Sequence, residues 1–552
     1  MFRIRISPTM RRIFLTVVVV LSQSLVLPPL SAVAQDAVAQ DKATARPLVV
    51  VTAASIDRLL EDVKTVAVSA DHGDLFDSLK GLLNNVGNFE GADRSRPAGI
   101  LVFLTGSFPP KPEPIGFVPV ADADAFLKTV AFGPIRTKPV EGKTGRHELT
   151  GPNGSAFLQF HGTHAMIASK GVALDRAFPD IEALTKDLAT KYDIAARVDL
   201  SVVPEGVKQL FLGTVRARVE ADQQKAAEKP DSTEEAVRVQ KEMSDAGLEM
   251  IESAVRNGRE VVVGLTIDQT TRSASLEARF VNANGKEAGA PPMVGNLANP
   301  ASPARLKIGL TVSEKRRPAL RDLANAVEKQ ALAKANPEDA ALLSRLFGPL
   351  KATMEAGRLD VEVHFVGAAP GPLTMVGGIQ MKDADSLARA LPELLQKLGR
   401  HPNVGAVETN AVDAGEIQLH RLTGRSASAN DDRVFGPKPG LLVGAGRETL
   451  WFAVAGKSNE SDVTGFVSRA AREGTPVDGL QLEIAAGTWV AMSPQAGEES
   501  ARTRLLRDAF IRGKDRLSVD VTGSPTGPVL KVTVEEGYLR LLGLAIALRA
   551  GK

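Results

Sequence analysis

The chain has 552 residues, of which 24% are charged, and its 67 Lys and Arg against 65 Asp and Glu give a formal net charge of +2. That balance supplies no global basic field of the kind nucleic-acid binding uses. The absence of cysteine excludes disulfides, thiolate catalysis and attachment of lipid to an N-terminal Cys, and the length allows at least two ordinary hydrophobic cores.

The start of the chain carries an export pattern. Arg3, Arg5, Arg11 and Arg12 precede an apolar run from Ile13 to Leu27, and Ala32-Val33-Ala34 has the small-x-small form of a cleavage site. The run is too short to span a bilayer comfortably. Residues 1–34 therefore read as a signal peptide cleaved after Ala34, placing the mature protein in the periplasm or outside the cell. Arg11-Arg12 fits the twin-arginine route and the strong apolar run fits the general secretory route, and both stay open. Cleavage removes four Arg and no acid, so the formal charge becomes +2 − 4 = −2. Residues 35–46 read as a disordered leader. No later run reaches the length of a membrane span; Leu539 to Leu548 is interrupted by Arg540 and reads as a terminal core element.

Beyond the leader, residues 48–51 form a buried-type strand, Ser55 caps a helix, and Leu75 to Leu83 mark another helix. Strands follow at Ile100–Leu104 and Val118–Val120. Asp122 stands where the next helix begins, and a carboxylate there accepts a bond from the first turn's N–H groups. A hairpin turns at Gly162, a helix covers Ile181 to Leu188, and Val198 to Val203 alternates as a strand. Residues 206–256 carry helical spacing broken at Lys229-Pro230-Asp231, which predicts a helical hairpin. Val261–Ile267 and Ala274–Phe280 pair to close the first half, and the Pro-, Ala- and Gly-rich residues 288–303 read as a linker.

After the linker the markers recur in the same order. Gly377 to Leu391 matches Gly116 to Val130, with Asp383 in the place of Asp122. His420-Arg-Leu-Thr-Gly424 matches His147-Glu-Leu-Thr-Gly151, and Val361 to Gly367 matches Ile100 to Gly106. The expected fold is α+β: a tandem duplication, residues 47–287 and 304–552, of a mostly antiparallel or mixed sheet covered on one face by helices. The helical hairpin is expected as an insertion in the first copy alone.

Leu48 to Leu60, Arg94-Ser-Arg-Pro-Ala-Gly99 and Gly116-Phe-Val-Pro-Val120 resemble segments of a family of duplicated, exported bacterial proteins of uncharacterised function. The likeness covers most of the first half and is thinner in the second. It implies export and the duplicated architecture and brings no activity, cofactor or site residue.

Candidate chemistry is sparse. His161-Gly-Thr-His164 is the one close His pair, and two His three apart can share a metal ion, but no third ligand is evident and surface polarity is the competing reading. His147 and His420 occupy matching positions, which suits either equivalent sites or a strand end where imidazole satisfies backbone groups. The Asp-x-Asp at Asp122 and Asp383 suits helix capping better than a hard cation, which wants about six oxygens. No hydrolase elbow, phosphate loop, zinc-protease motif or dinucleotide fingerprint is present, and no cofactor is predicted. Three functions remain. The first is a non-catalytic envelope or secreted protein that binds a partner through the cleft between copies or through the helical hairpin. The second is a carrier of an apolar, lipid-like molecule. The third is a hydrolase whose site the motifs do not reveal.

Overall fold

The computed structural model describes residues 46–282 and 302–549, apart from short stretches within them, the longest being 82–88 and 494–500. The expected signal peptide, the expected leader up to residue 45 and nearly all of the expected linker lie outside the described residues, as does part of the helix expected at residues 75–83.

In chain order the first half contains β1 (Val49–Ala53), α1 (Ile56–Ser69), β2 (Ala98–Thr105), β3 (Lys111–Pro119), α2 (Ala123–Val130), β4 (Arg136–Pro139), β5 (Arg146–Gly151), β6 (Gly154–His161), β7 (His164–Ala168), a 3-10 turn (Gly171–Asp175), α3 (Ile181–Lys191), β8 (Ile194–Asp199), α4 (Glu205–Ala227), α5 (Glu234–Asn257), β9 (Gly258–Asp268) and β10 (Ser273–Asn282). The second contains β11 (Ala304–Thr311), α6 (Arg317–Ala333), α7 (Pro337–Ala356), β12 (Arg358–Val366), β13 (Thr374–Gln380), α8 (Ala384–Leu398), β14 (Val404–Ala414), β15 (Ile417–Gly424), α9 (Ala429–Phe435), β16 (Gly440–Gly446), β17 (Thr449–Ala455), α10 (Glu460–Glu473), β18 (Gly479–Ala485), α11 (Ala486–Ala491), α12 (Ala501–Phe510), β19 (Arg516–Ser524), β20 (Gly527–Val534) and α13 (Glu536–Arg549).

All the strand pairs are antiparallel, and they join into one 20-stranded sheet. Its spatial order is β4-β5-β6-β7-β3-β2-β1-β8-β9-β10-β20-β19-β18-β11-β12-β13-β17-β16-β15-β14. This corrects the expectation of two separate α+β copies. The last strand of each half pairs with the other, from Ala274 opposite Val534 to Arg279 opposite Val529, so neither half keeps a sheet of its own. An unpaired edge strand exposes a row of N–H and C=O groups, and pairing β10 with β20 removes both edges at once. Read outward from that seam, each strand of the first ten holds the place that the strand ten numbers later holds on the other side.

Helices on a single face are also not what forms. On one face α3 and the 3-10 turn bury Val50, Leu101, Phe103, Ile115, Phe117 and Met166, while α10 buries Val376, Leu419, Leu442 and Trp451. On the opposite face α2 buries Leu149, Leu158 and Ala165 with Phe126, and α8 closes on Ala445 with Leu387 and Leu391. The helical hairpin forms as α4 and α5, yet it is not peculiar to the first half, since α11 and α12 stand between β18 and β19 where α4 and α5 stand between β8 and β9.

Helix starts follow local chemistry in part. Ser55 Oγ accepts from Arg58 N at 3.0 Å, and Asp122 accepts from the N–H groups of Asp124 and Ala125 at 2.9 and 3.0 Å. Asp383 departs from its match. It sits at φ +56°, and its side chain makes no cap bond to the backbone, accepting instead from Ser386 Oγ at 2.8 Å. The left-handed backbone turns the carboxylate away from the first-turn N–H groups, so identical residues at matching positions do different work.

Asp122→Ala is therefore expected to lower unfolding stability by about 1 kcal/mol. Asp383→Gly is expected to cost nothing or to stabilise slightly, because glycine adopts that φ without strain. Chemical denaturation of the two variants reads both numbers, and equal losses would contradict the asymmetry.

Candidate functional site

The ten strands from β2 to β12 in spatial order form the centre of the sheet, and from β10 to β12 their sequences alternate between polar and aliphatic residues. In β12, Arg358, Asp360, Glu362 and His364 point to one face, and Leu359, Val361, Val363 and Phe365 to the other. The same alternation runs through β11, β18, β19, β20 and β10. Backbone register then lines these residues up across strands, so from β10 to β12 one face is a ladder of polar and ionisable groups and the other is aliphatic. On β2, β1 and β9 the first face is apolar as well, with Leu101, Phe103, Val50 and Val262 in the core under α3.

On the polar face, Lys307 stands opposite Glu362 in register, and Arg305 opposite both His364 and Glu483. Lys307 Nζ lies 3.1 Å from Glu362 Oε1, and His364 Nε2 lies 2.5 Å from the same oxygen. Arg305 pairs with Glu483, whose other oxygen is 3.4 Å from Arg516 Nη1. Further along, Lys191 Nζ and Tyr192 Oη donate to Glu277 Oε1 at 2.6 and 2.7 Å. Gly264 makes room for that tyrosine, because a Cβ there would come 2.2 Å from the ring. Burial pushes the Lys307 ammonium below its usual range, with Arg305 adding to the effect, and burial pushes the Asp520 carboxyl up, helped by Glu483. Burial alone would raise Glu277, but the bonds from Lys191 and Tyr192 hold it below the ordinary carboxylate range.

A carboxylate between a lysine and a histidine has the ingredients of acid–base chemistry. Here Lys307 and His364 are both 0% exposed, and the His364 ring packs on Phe466 with centroids 4.8 Å apart. A dissolved substrate does not reach them. The ladder is a network of paired charges that locks strand register, since a slip by one residue would bury charges among aliphatic side chains.

The opposite face differs. One row runs Ile100–Val51–Ala196–Val263–Ala278–Leu530–Val521–Leu480–Ile308–Val361, one residue per strand over ten strands. None of these ten side chains is buried. Ile100 is 44% exposed, Ile194 41%, Leu276 40% and Leu359 40%, so the strip is open at both flanks and in the middle. The helices joined to these strands leave from strand ends, and α13, α5 and α7 touch β10 and β20, β9 and β10, and β12 respectively. At one end α1, α13, α12 and α11 pack in a rank, and at the other α4, α5, α6 and α7 do. Phe510 of α12 meets Tyr538 of α13 edge-on at 4.9 Å, and Gly543 of α13 sits so close to Ala70 after α1 that a Cβ would fall 1.9 Å from the alanine's. Trp489 of α11 packs edge-on against Phe365 at 5.0 Å, which places α11 on the aliphatic side. Val63 and Val68 of α1, Leu210 and Phe211 of α4 and Leu542 of α13 are themselves exposed.

The residues singled out from sequence lie elsewhere. His161 and His164 face each other across the β6–β7 turn, His161 exposed against Phe178 and His164 buried against Phe117. Among the described residues no group of three His, Cys, Asp or Glu side chains is placed to hold a metal ion, so the pair gains no third ligand there. His147 is half-buried, edge-on to Phe160 at 6.2 Å. His420 is buried, and its Nδ1 accepts from Asn410 N at 3.0 Å, where Asn410 stands at φ +51° in the irregular part of the β14–β15 pairing. That contact is structural. The signal that pointed to the central strands was available in the alternation of β12 and its neighbours, which served only to identify strands.

In comparisons with protein-family models, curated proteins and solved structures, nothing matches this chain.

Two outcomes follow from the polar residues. Glu362→Ala, which strands a buried lysine beside a buried histidine, is expected to cost about 3–5 kcal/mol in urea unfolding, whereas Glu148→Ala at the half-buried β5 position costs far less. Burial lowers the pKa of His164, with Arg96 contributing, and of His420. The unfolded chain therefore binds protons below about pH 6.5 that the folded chain refuses, and stability falls as pH drops through that value. The double variant His164→Gln/His420→Gln should show a flatter loss between about pH 6.5 and 5. An unchanged slope would contradict the assignment.

Proposed function

We propose that this protein is an exported, non-catalytic carrier of apolar, lipid-like molecules, working in the periplasm or outside the cell. The open aliphatic strip across ten central strands carries the proposal. Soluble proteins rarely expose a continuous apolar patch above a few hundred Å2 without a binding role, and this strip, with a footprint of about 900 Å2 from strand spacing and rise, is half-exposed over its whole width. Its flanking ranks of helices add exposed apolar side chains of their own. The strand order, matched on either side of the β10–β20 seam, supports descent of the two halves from one repeated unit.

The partner-binding alternative has less behind it. The cleft that would have separated two copies is taken up by the β10–β20 pairing, and the α4–α5 hairpin meets α6 instead of projecting alone. A hydrolase site has no accessible constellation in its favour among the described residues.

Organic extraction of the purified protein followed by mass spectrometry is expected to release lipid, and the stripped protein is expected to take up a fluorescent fatty acid. Leu276→Glu, placing a charge in the middle of the strip, should weaken uptake ten-fold or more. Equal uptake by the variant, or a protein that neither carries nor takes up lipid, rejects the carrier.

A further inference from the structure

We infer that the strip holds several acyl chains at once, so that the ligand is a diacyl or larger lipid bound in more than one copy rather than a single fatty acid. The inference rests on the carrier reading and extends it to the class and number of ligands.

Size is the first argument. Ten adjacent strands have nine gaps of about 4.8 Å, a width near 43 Å, and the four outward residues of β9 from Val261 to Ile267 span about 20 Å along the strand. One leaflet's share of a bilayer's hydrocarbon is about 15 Å, so an acyl chain fits along a strand and the width exceeds its length nearly three-fold. A single chain in any orientation leaves most of the strip in water, and burial of the remainder favours further chains. Exposure supports this distribution, because the most open side chains lie on β2, β8, β10 and β12, across the whole width.

Chemistry is the second argument, and it separates lipid from a protein partner. Between Val261 and Ile267 on β9, and over the matching residues of its nine neighbours, the strip contains Val, Ile, Leu, Ala and Phe, with Pro528 and Gly523 at one margin. Protein interfaces are enriched in aromatic residues, Met and Arg, and of these the strip holds only Phe280 and Phe365. Each of its strands is paired on both sides, β2 with β3 and β12 with β13 at the limits, so no edge is free for a partner strand to extend. Alkyl chains need neither hydrogen-bond partners nor a fixed shape.

The test is native mass spectrometry of the purified full chain after incubation with vesicles of dipalmitoyl phosphatidylglycerol. Two or more lipids per protein are expected. Ile100→Glu and Leu359→Glu, both at exposed positions on opposite flanks, should each lower the number bound without abolishing uptake, and together lower it further. Thermal melting of each variant checks that it folds, with Ile194→Glu as the substitute for Ile100→Glu. A single bound lipid, or one variant that abolishes uptake while the other changes nothing, overturns the multi-chain inference and leaves the carrier reading standing. No bound lipid overturns both, as does a lipid-free dimer that the two substitutions convert to monomer.

Discussion

The pairing of β10 with β20 is the constraint on which the rest of the molecule depends. Each of these strands closes its half of the chain, and each would otherwise end in an open hydrogen-bonding edge. Joined, they turn two ten-strand arrays into one sheet and bring β9, β8 and β1 into line with β19, β18 and β11. The width of both central faces follows from that seam, and without it neither the charge ladder nor the aliphatic strip would be continuous.

The two central faces solve opposite problems. Lys307, Glu362, His364, Arg305 and Glu483 are crowded together by register, and they remain tolerable because acids and bases meet across neighbouring strands. Charges buried in this way contribute little net stability, but they strongly penalise a shifted register. Aliphatic side chains on the reverse face have no such restraint and ordinarily acquire a helical cover. Here the helices leave from strand ends and pack on one another, with Gly543 allowing α13 to reach Ala70, and the strip between the two ranks stays half-exposed.

The flanks show what the centre lacks. Under α3 and α10 the face that is polar in the centre becomes aliphatic and closes into cores. Under α2 and α8 the reverse face does so as well. Stability can therefore reside in the four flanking clusters while the centre is left to bind. This division places the proposed ligand site where helices are least engaged with strands.

Much of the local structure was legible in the chain itself. Period-two alternation marked the strands, and Ser55 and Asp122 marked helix starts, because a cap bond needs only residues two or three apart. The helical pair at 205–257 was equally plain from its spacing and from the break at Pro230. Position alone was not enough for Asp383, whose backbone conformation is set by its surroundings, nor for His420, whose partner at Asn410 is supplied by an irregular strand pair. The charge ladder stayed hidden although its letters were in view: Glu362 and His364 are two residues apart, but Lys307 joins them only through a pairing 55 residues away. Alternation tells which side chains share a face of one strand, while the neighbour across the ladder, the joining of two halves at β10 and β20, and the partial cover over the aliphatic face are long-range choices made by the folded chain.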